Sequence, residues 1–374
     1  MENNFFKKSW IQTLISSLLC IILGLVLGLV VLLIINPSGA FDAIKSVIGN
    51  FLTWKRGSYK LYYLADTLVR MVPLLMCSLA VLFSYKVGLF NIGTSGQYCA
   101  GICACLFGAI FLHLPWYLCL LLAIIAGALV AAIVGVLKAY LNVNEVISGI
   151  MLNWIMLYLT NLVLDQPDVI KNTRTLETFD LSEKAPQALL PKLNLFGNNF
   201  TSIAIPLSII LAVLILVILN YTKFGYELKA TGYNKNAAKY CGMMENTNII
   251  LSLVISGALA GVGAAFYYLS GIENWNCSTA TVPAMGFNGI AATFLGGLHP
   301  IGTIFSSFFI EQITLGGSYV NMRMYSSQIS DLISSLIIYL CGFVMFIKVT
   351  INSIISKVTS NRENKNIKIE GDKK

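Results

Sequence analysis

An all-α, polytopic integral membrane protein is predicted by three observations: an apolar composition, a series of long apolar runs, and a loop-to-loop bias in positive charge. Of 374 residues, 57% are hydrophobic and 11% charged, against roughly 45–50% and about 25% in soluble domains. Several runs reach the ~20 residues needed to cross the hydrocarbon core. About ten transmembrane helices are expected.

The first run, residues 12–35, is too long for the apolar region of a signal peptide and has no Ala-x-Ala pattern near its end, so it reads as an uncleaved spanning helix stopped by Asn36-Pro37. Further spans are expected near 61–85, 92–112, 116–137, 146–164, 201–219, 249–270, 284–298, 301–317 and 330–348. The runs at 284–298 and 301–317 are short and Gly-rich and are separated by His299-Pro300, which suits half-helices or re-entrant pieces.

Orientation follows from Lys and Arg, which favour the cytoplasmic side. Placing both termini inside puts fifteen basic residues in the cytoplasm and nine outside, with Arg70 inside a span. The basic 36–60 loop runs against this bias. The expected layout is one transmembrane domain over 1–349, with an extracytoplasmic loop at 165–200 and a cytoplasmic loop at 220–248, followed by a cytoplasmic polar tail over 350–374. The net charge of +8 reads as anchoring to membrane lipid, with no nucleic-acid patch.

Two chemistries are disfavoured. The chain contains no Gly-Lys dipeptide and so no G-x-x-x-x-G-K-[ST] phosphate loop. Cys99, Cys103 and Cys105 share one helix, but with two histidines in the chain, His113 and His299, they read as packing residues, and no metal site is expected. No disulfide framework is visible.

The functional signal lies in two polar breaks, GLFNIGTSGQ at 88–97 and TVPAMGFNGIAATFLGG at 281–297, each placing Gly, Phe and Asn where a helix opens. At membrane depth, freed backbone groups need a protein partner or a water-filled cavity, and interrupted helices mark substrate paths in repeat-built transporters. The expected topology puts one break on the inner side and one on the outer, as in an inverted repeat. Asn91, Gln97, Asn153 and Asn288 are the candidate contacts along the path. Asn91 has an equally good reading as an N-cap, and the glycines as close-packing residues.

Other charges have local explanations. Asn144 and Glu145 suit an N-cap and a first-turn acid, and Asp66 and Arg70 stand at i,i+4 for pairing. Glu311, deep in an apolar run, is either protonated, paired across an interface or part of a proton path. Inside the cytoplasmic loop, Asn234 is placed to cap a short helix through Tyr240, with Gly242 to end it.

GLFNIGTSGQ resembles the signature of the permease subunits of bacterial ATP-binding-cassette importers for nucleosides and simple sugars, within the branched-chain-amino-acid and sugar permease superfamily. That signature usually reads GLFNIG-A-E-GQ. LNVNEVISGIMLNWI (141–155), ELKATGYNKNAAKYCGM (227–243) and GFNGIAATFLGGLHPIG (286–302) agree with it in the same order, over about residues 60–348. Thr94 and Ser95 replace the usual small residue and Glu, which removes an acid at the helix start.

The resemblance implies a bacterial inner-membrane transport subunit without enzymatic activity. It would be paired with a second permease subunit, a cytoplasmic ATPase that binds ATP and Mg, and an extracytoplasmic substrate-binding lipoprotein, and would need no cofactor of its own. It also implies that 227–243 is the coupling segment, with Glu227, Gly232, Asn234, Ala237, Ala238, Tyr240 and Gly242 at the ATPase contact. Two alternatives stand beside it. Glu311 and the broken helices fit an ion-coupled secondary carrier, and Gly93-Thr94-Ser95-Gly96 fits the G-x-S-G pattern of intramembrane serine proteases, with His299 as the base for Ser95.

Overall fold

The computed structural model describes residues 9–320 except Lys55, together with scattered positions between 325 and 353. In chain order the helices are α1 (Ser9–Ile35), α2 (Ala40–Gly49), α3 (Gly57–Tyr85), α4 (Thr94–Leu106), α5 (Trp116–Leu141), α6 (Glu145–Leu164), α7 (Leu181–Lys184), α8 (Ala204–Tyr221), α9 (Lys223–Tyr233), α10 (Lys235–Tyr240), α11 (Glu245–Tyr268), α12 (Met285–Leu295) and α13 (Pro300–Ser318). The fold is all-α.

Seven of the described helices are long and apolar enough to cross a membrane, so the chain is a multi-pass membrane protein. Of the ten expected runs, two take another form in the described residues and a third lies largely beyond them. The run at 284–298 is the 11-residue helix α12, too short to span on its own. The run at 301–317 is α13, which is as long as a span but carries Glu311, Gln312 and several hydroxyls on its buried side, so it falls outside those seven. The span expected near 330–348 lies largely outside the described residues.

The 36–60 segment is also not a simple loop. It holds α2 and a 3₁₀ turn (Asn50–Thr53). Ala40, Ala43 and Val47 form a buried stripe at i, i+3 and i+7, and a Cβ on Gly316 of α13 would strike the Val47 carbonyl. Asn50 then donates to Gln312 Oε1 (3.1 Å) and Thr67 Oγ1 (3.0 Å), tying this corner to α13 and α3.

α3, α4 and α11 form the centre: 89%, 78% and 72% of their apolar windows are buried, against 33% for α5, α6 and α8, whose remaining faces are left for lipid. Small residues permit the close crossings, because lipid supplies no hydrophobic drive for helix association and tight backbone approach must substitute. Gly257 and Gly261 of α11 meet Gly127 and Ala123 of α5 backbone to backbone, and a Cβ on Gly101 of α4 would lie 2.8 Å from the Gly261 Cα.

Candidate functional site

The two polar breaks meet. Ser95, in the first turn of α4, donates to the Pro283 carbonyl just before α12 (3.0 Å), and a Cβ on Gly286 would come within 2.5 Å of the Ser95 nitrogen. The helix starts therefore abut. The chain must pack two broken helix ends where water is scarce, and joining them lets each satisfy part of the other.

Three of the four candidate amides hold this junction from within. Asn91 and Gln97 are buried and pair reciprocally: Asn91 Nδ2 donates to Gln97 Oε1 (2.9 Å) and Gln97 Nε2 to Asn91 Oδ1 (3.2 Å). Asn91 Nδ2 also donates to Ser256 Oγ (2.7 Å), which passes the chain on to the Ala80 carbonyl (2.7 Å) and so links the break to α11 and α3. Asn153 reaches over from α6. Its Oδ1 accepts from the Gly96 N–H (2.7 Å) and its Nδ2 donates to the Ile92 carbonyl (3.0 Å). The residue preceding α4 is Gly93, which offers no side-chain cap. The capping oxygen comes instead from Asn153, 57 positions along the chain.

Asn288 is placed differently. It sits half-buried in the first turns of α12 and lines a cavity of about 1020 Å³. No hydrogen bond among the described residues occupies its carboxamide. The cavity is walled by the aromatic rings of Tyr98, Tyr267, Tyr268, Trp275 and Phe200, and by the polar groups of Asn274, Thr279 and Thr281. Its lining includes the carboxylates of Glu177, Asp180 and Glu273 and, among the described residues, no Lys or Arg. The uncapped start of α12, at Ala284 and Met285, also opens into it.

Most of these residues were not singled out from the sequence. Tyr267 and Tyr268 end an apolar helix and resemble core. Segment 271–283, GIENWNCSTATVP, is a polar and aromatic linker between two apolar runs, bounded by Gly271 and Pro283. That composition was the available signal.

Within 220–248 the structure shows α9 and α10, with Asn234 Oδ1 accepting from the Ala237 N–H (3.0 Å) as an N-cap. Gly242 follows α10 at φ +81°, in the left-handed region that glycine tolerates. Ala238 is buried (3% exposed), whereas Ala237 is exposed and Tyr233 and Tyr240 are each 92% exposed. The outward surface thus includes the two tyrosines and Ala237, with Lys235, Asn236 and Lys239 beside them. Glu227 pairs along α9 with Lys223 (3.7 Å).

Gly232 has a packing role. A Cβ there would lie 2.6 Å from the Val87 carbonyl carbon and 2.9 Å from the Lys86 oxygen, so α9 rests against the residues that open the first polar break. Gly88, at φ +75°, faces back onto the Gly232 carbonyl. Burial and the neighbouring Lys229 lower the pKa of the Lys86 ammonium at this contact.

Residues 63–342 match the family of branched-chain amino acid transport system / permease components. The chain belongs to this permease family. It is 31% identical to the nucleoside ABC transporter permease protein NupB of Lactococcus lactis subsp. cremoris, over 83% of this chain and 86% of that protein. It is 32% identical to the guanosine ABC transporter permease protein NupP of Bacillus subtilis, over 75% of this chain and 80% of that protein. The glucose ABC transporter permease protein TsgB13 of Haloferax volcanii is 29% identical over 74% of each chain. No solved structure matches.

The protease alternative gains nothing from this permease's geometry. Ser95 Oγ is engaged with Pro283, and His299 Nδ1 accepts from the Ile301 N–H as the cap of α13, so neither bonds the other. Glu311 is buried on α13 without a hydrogen bond among the described residues.

Proposed function

We propose that this chain is the membrane-spanning subunit through which a nucleoside, or a related simple sugar, enters the cell, driven by ATP and Mg bound to a cytoplasmic ATPase partner. The observation that carries the reading is the cavity at the start of α12. It offers rings for stacking and neutral amides and hydroxyls for a polyhydroxy solute. Its carboxylates, with no Lys or Arg lining it among the described residues, disfavour phosphorylated or otherwise anionic substrates.

With the protein in the bacterial inner membrane and both termini in the cytoplasm, as we propose, the cavity belongs to the outer side. A substrate-binding lipoprotein releases solute there. A second permease subunit, the same or related, completes the pathway. Asn288 contacts solute directly, while Asn91, Gln97 and Asn153 keep the α4 start in register beside it. On the inner side, Tyr233, Ala237 and Tyr240 meet the ATPase. ATPase movement pushes α9 against Lys86–Gly88, and the Asn91–Ser256–Ala80 chain carries the displacement to α3 and α11. The chain itself makes and breaks no covalent bond.

Deleting this gene from its host and measuring uptake of radiolabelled guanosine tests the reading. Uptake should fall to background, return with the wild-type gene, and be competed by unlabelled nucleosides more strongly than by leucine. Competition by leucine alone contradicts the substrate class.

A further inference from the structure

Glu273 stands apart from the other acids of the cavity. It is exposed in the mouth, yet one of its oxygens is held by the bilayer-embedded core: the Tyr267 hydroxyl, on a side chain 4% exposed, donates to Glu273 Oε2. Behind it, Arg70 Nη1 donates to the Tyr267 oxygen (3.2 Å), and Arg70 Nε donates to Asp66 (3.4 Å). A cation behind the phenol strengthens the bond the phenol gives forward. Asp180, by contrast, is fixed only by its own turn, its Oδ1 accepting from the Ser182 N–H (2.8 Å) and hydroxyl (2.7 Å), with no bond from the helical core among the described residues.

The anchor engages Oε2, and among the described residues no hydrogen bond occupies Oε1 of this cavity-lining side chain. A carboxylate fixed in this way can accept from two adjacent hydroxyls at once. Nucleosides and pentoses share that donor pair in the vicinal hydroxyls of their sugar ring. Trp275, itself pinned by its Nε1 to Asn161 Oδ1 (3.0 Å), and Tyr268, in edge contact with it at 6.2 Å, supply an aromatic wall beside the carboxylate.

Resting on the solute class proposed above, we propose that Glu273, positioned by Tyr267 and Arg70, is the specificity-determining acceptor for the vicinal hydroxyls of the transported sugar. Glu273 touches the solute, and Tyr267 and Arg70 are positioning residues. A site that spends a charged acceptor on a hydroxyl rejects the analogue lacking it, because the acceptor is then left unmatched.

The test uses the complete importer, with its own ATPase and binding protein, reconstituted in proteoliposomes. Uptake of guanosine is compared with uptake of 2′-deoxyguanosine, and guanosine with inosine. The binding protein is identical in every sample, so its own preference cancels when variants are compared with wild type. E273Q should reduce the ribo-over-deoxy ratio by about tenfold, chiefly through KM. Y267F, which keeps the buried ring and deletes the anchoring hydroxyl, should reduce it in the same direction by about threefold, and supplies the readout if E273Q does not reach the membrane. An unchanged ribo-over-deoxy ratio overturns the proposal. So does a change confined to the guanosine-over-inosine ratio, since the carboxylate would then be reading the base edge. If the wild-type importer carries no nucleoside at all, the solute class itself fails, and that result is distinct from either of these.

Discussion

Replacing Asn153 with Ala removes the one side chain that both caps α4 and braces the loop before it. Asn153 is 2% exposed, and its loss orphans the Gly96 N–H and the Ile92 carbonyl together, in a region where Gly96 is itself buried. An exchanged polar contact between membrane helices averages about 0.6 kcal/mol, whereas an orphaned buried group costs about 1–3 kcal/mol. Truncation leaves no replacement partner, so the second scale applies, and two groups give roughly 2–4 kcal/mol once partial relaxation is allowed. Thermal unfolding of the detergent-solubilised protein, followed by size-exclusion fluorescence, should show the midpoint lowered by several degrees. Asn153→Asp keeps the acceptor for Gly96 and loses the donor to Ile92, so it should fall between wild type and Ala. If Asn153→Ala unfolds at the wild-type midpoint, the cross-helix cap contributes nothing and the account of the α4 start is wrong.

Other variants probe the inner side. Gly232→Val drives a side chain into the Lys86–Val87 backbone, 2.6–2.9 Å away at the Cβ alone, and should abolish ATP-coupled uptake or membrane expression, whereas Gly57→Ala, with nothing within 4 Å, should leave both intact. Tyr240→Ala and Tyr233→Ala alter only exposed rings, so folding should persist while co-purification of the ATPase weakens, and unaltered co-purification from the double variant would remove these residues from the interface. Ala238→Trp should instead destabilise the α9–α10 hairpin, because that methyl is already buried. His299 has its pKa lowered by burial and by Lys86, and it caps α13 through a neutral Nδ1. Its stabilising contribution is therefore present above the ordinary histidine value of about 6.5 and is lost as pH falls below it towards the folded value. His299→Ala should flatten stability against pH in that window, and an unchanged slope would contradict the assignment.

The features legible in the sequence are those whose partners are near in the chain. Asn234 caps the Ala237 N–H three residues away, Asn144 caps Val146 and Ile147, and Asp66 meets Arg70 one turn on, so spacing alone found them. The motif GLFNIGTSGQ was visible as a break, but spacing cannot show that its cap comes from Asn153 or that Ser95 touches Pro283, 188 positions away. α2 was hidden because its Asp and Lys dilute a short run, although the Ala40, Ala43, Val47 stripe was present. The cavity escaped because it is assembled from residues of α4, α11, the start of α12, the 165–200 segment and a 13-residue linker, which lie far apart in the chain. Ala237 and Ala238 look alike in sequence, and only the docking of α10 buries one and exposes the other.

The central claim is that solute crosses through this chain at the expense of a partner's ATP. Proteoliposomes containing the purified importer, with binding protein and radiolabelled guanosine outside and ATP and Mg inside, measure it directly. The account predicts accumulation with ATP, none with ADP, and no change when the proton gradient is collapsed. Accumulation that needs no ATP and follows an imposed proton gradient would contradict it.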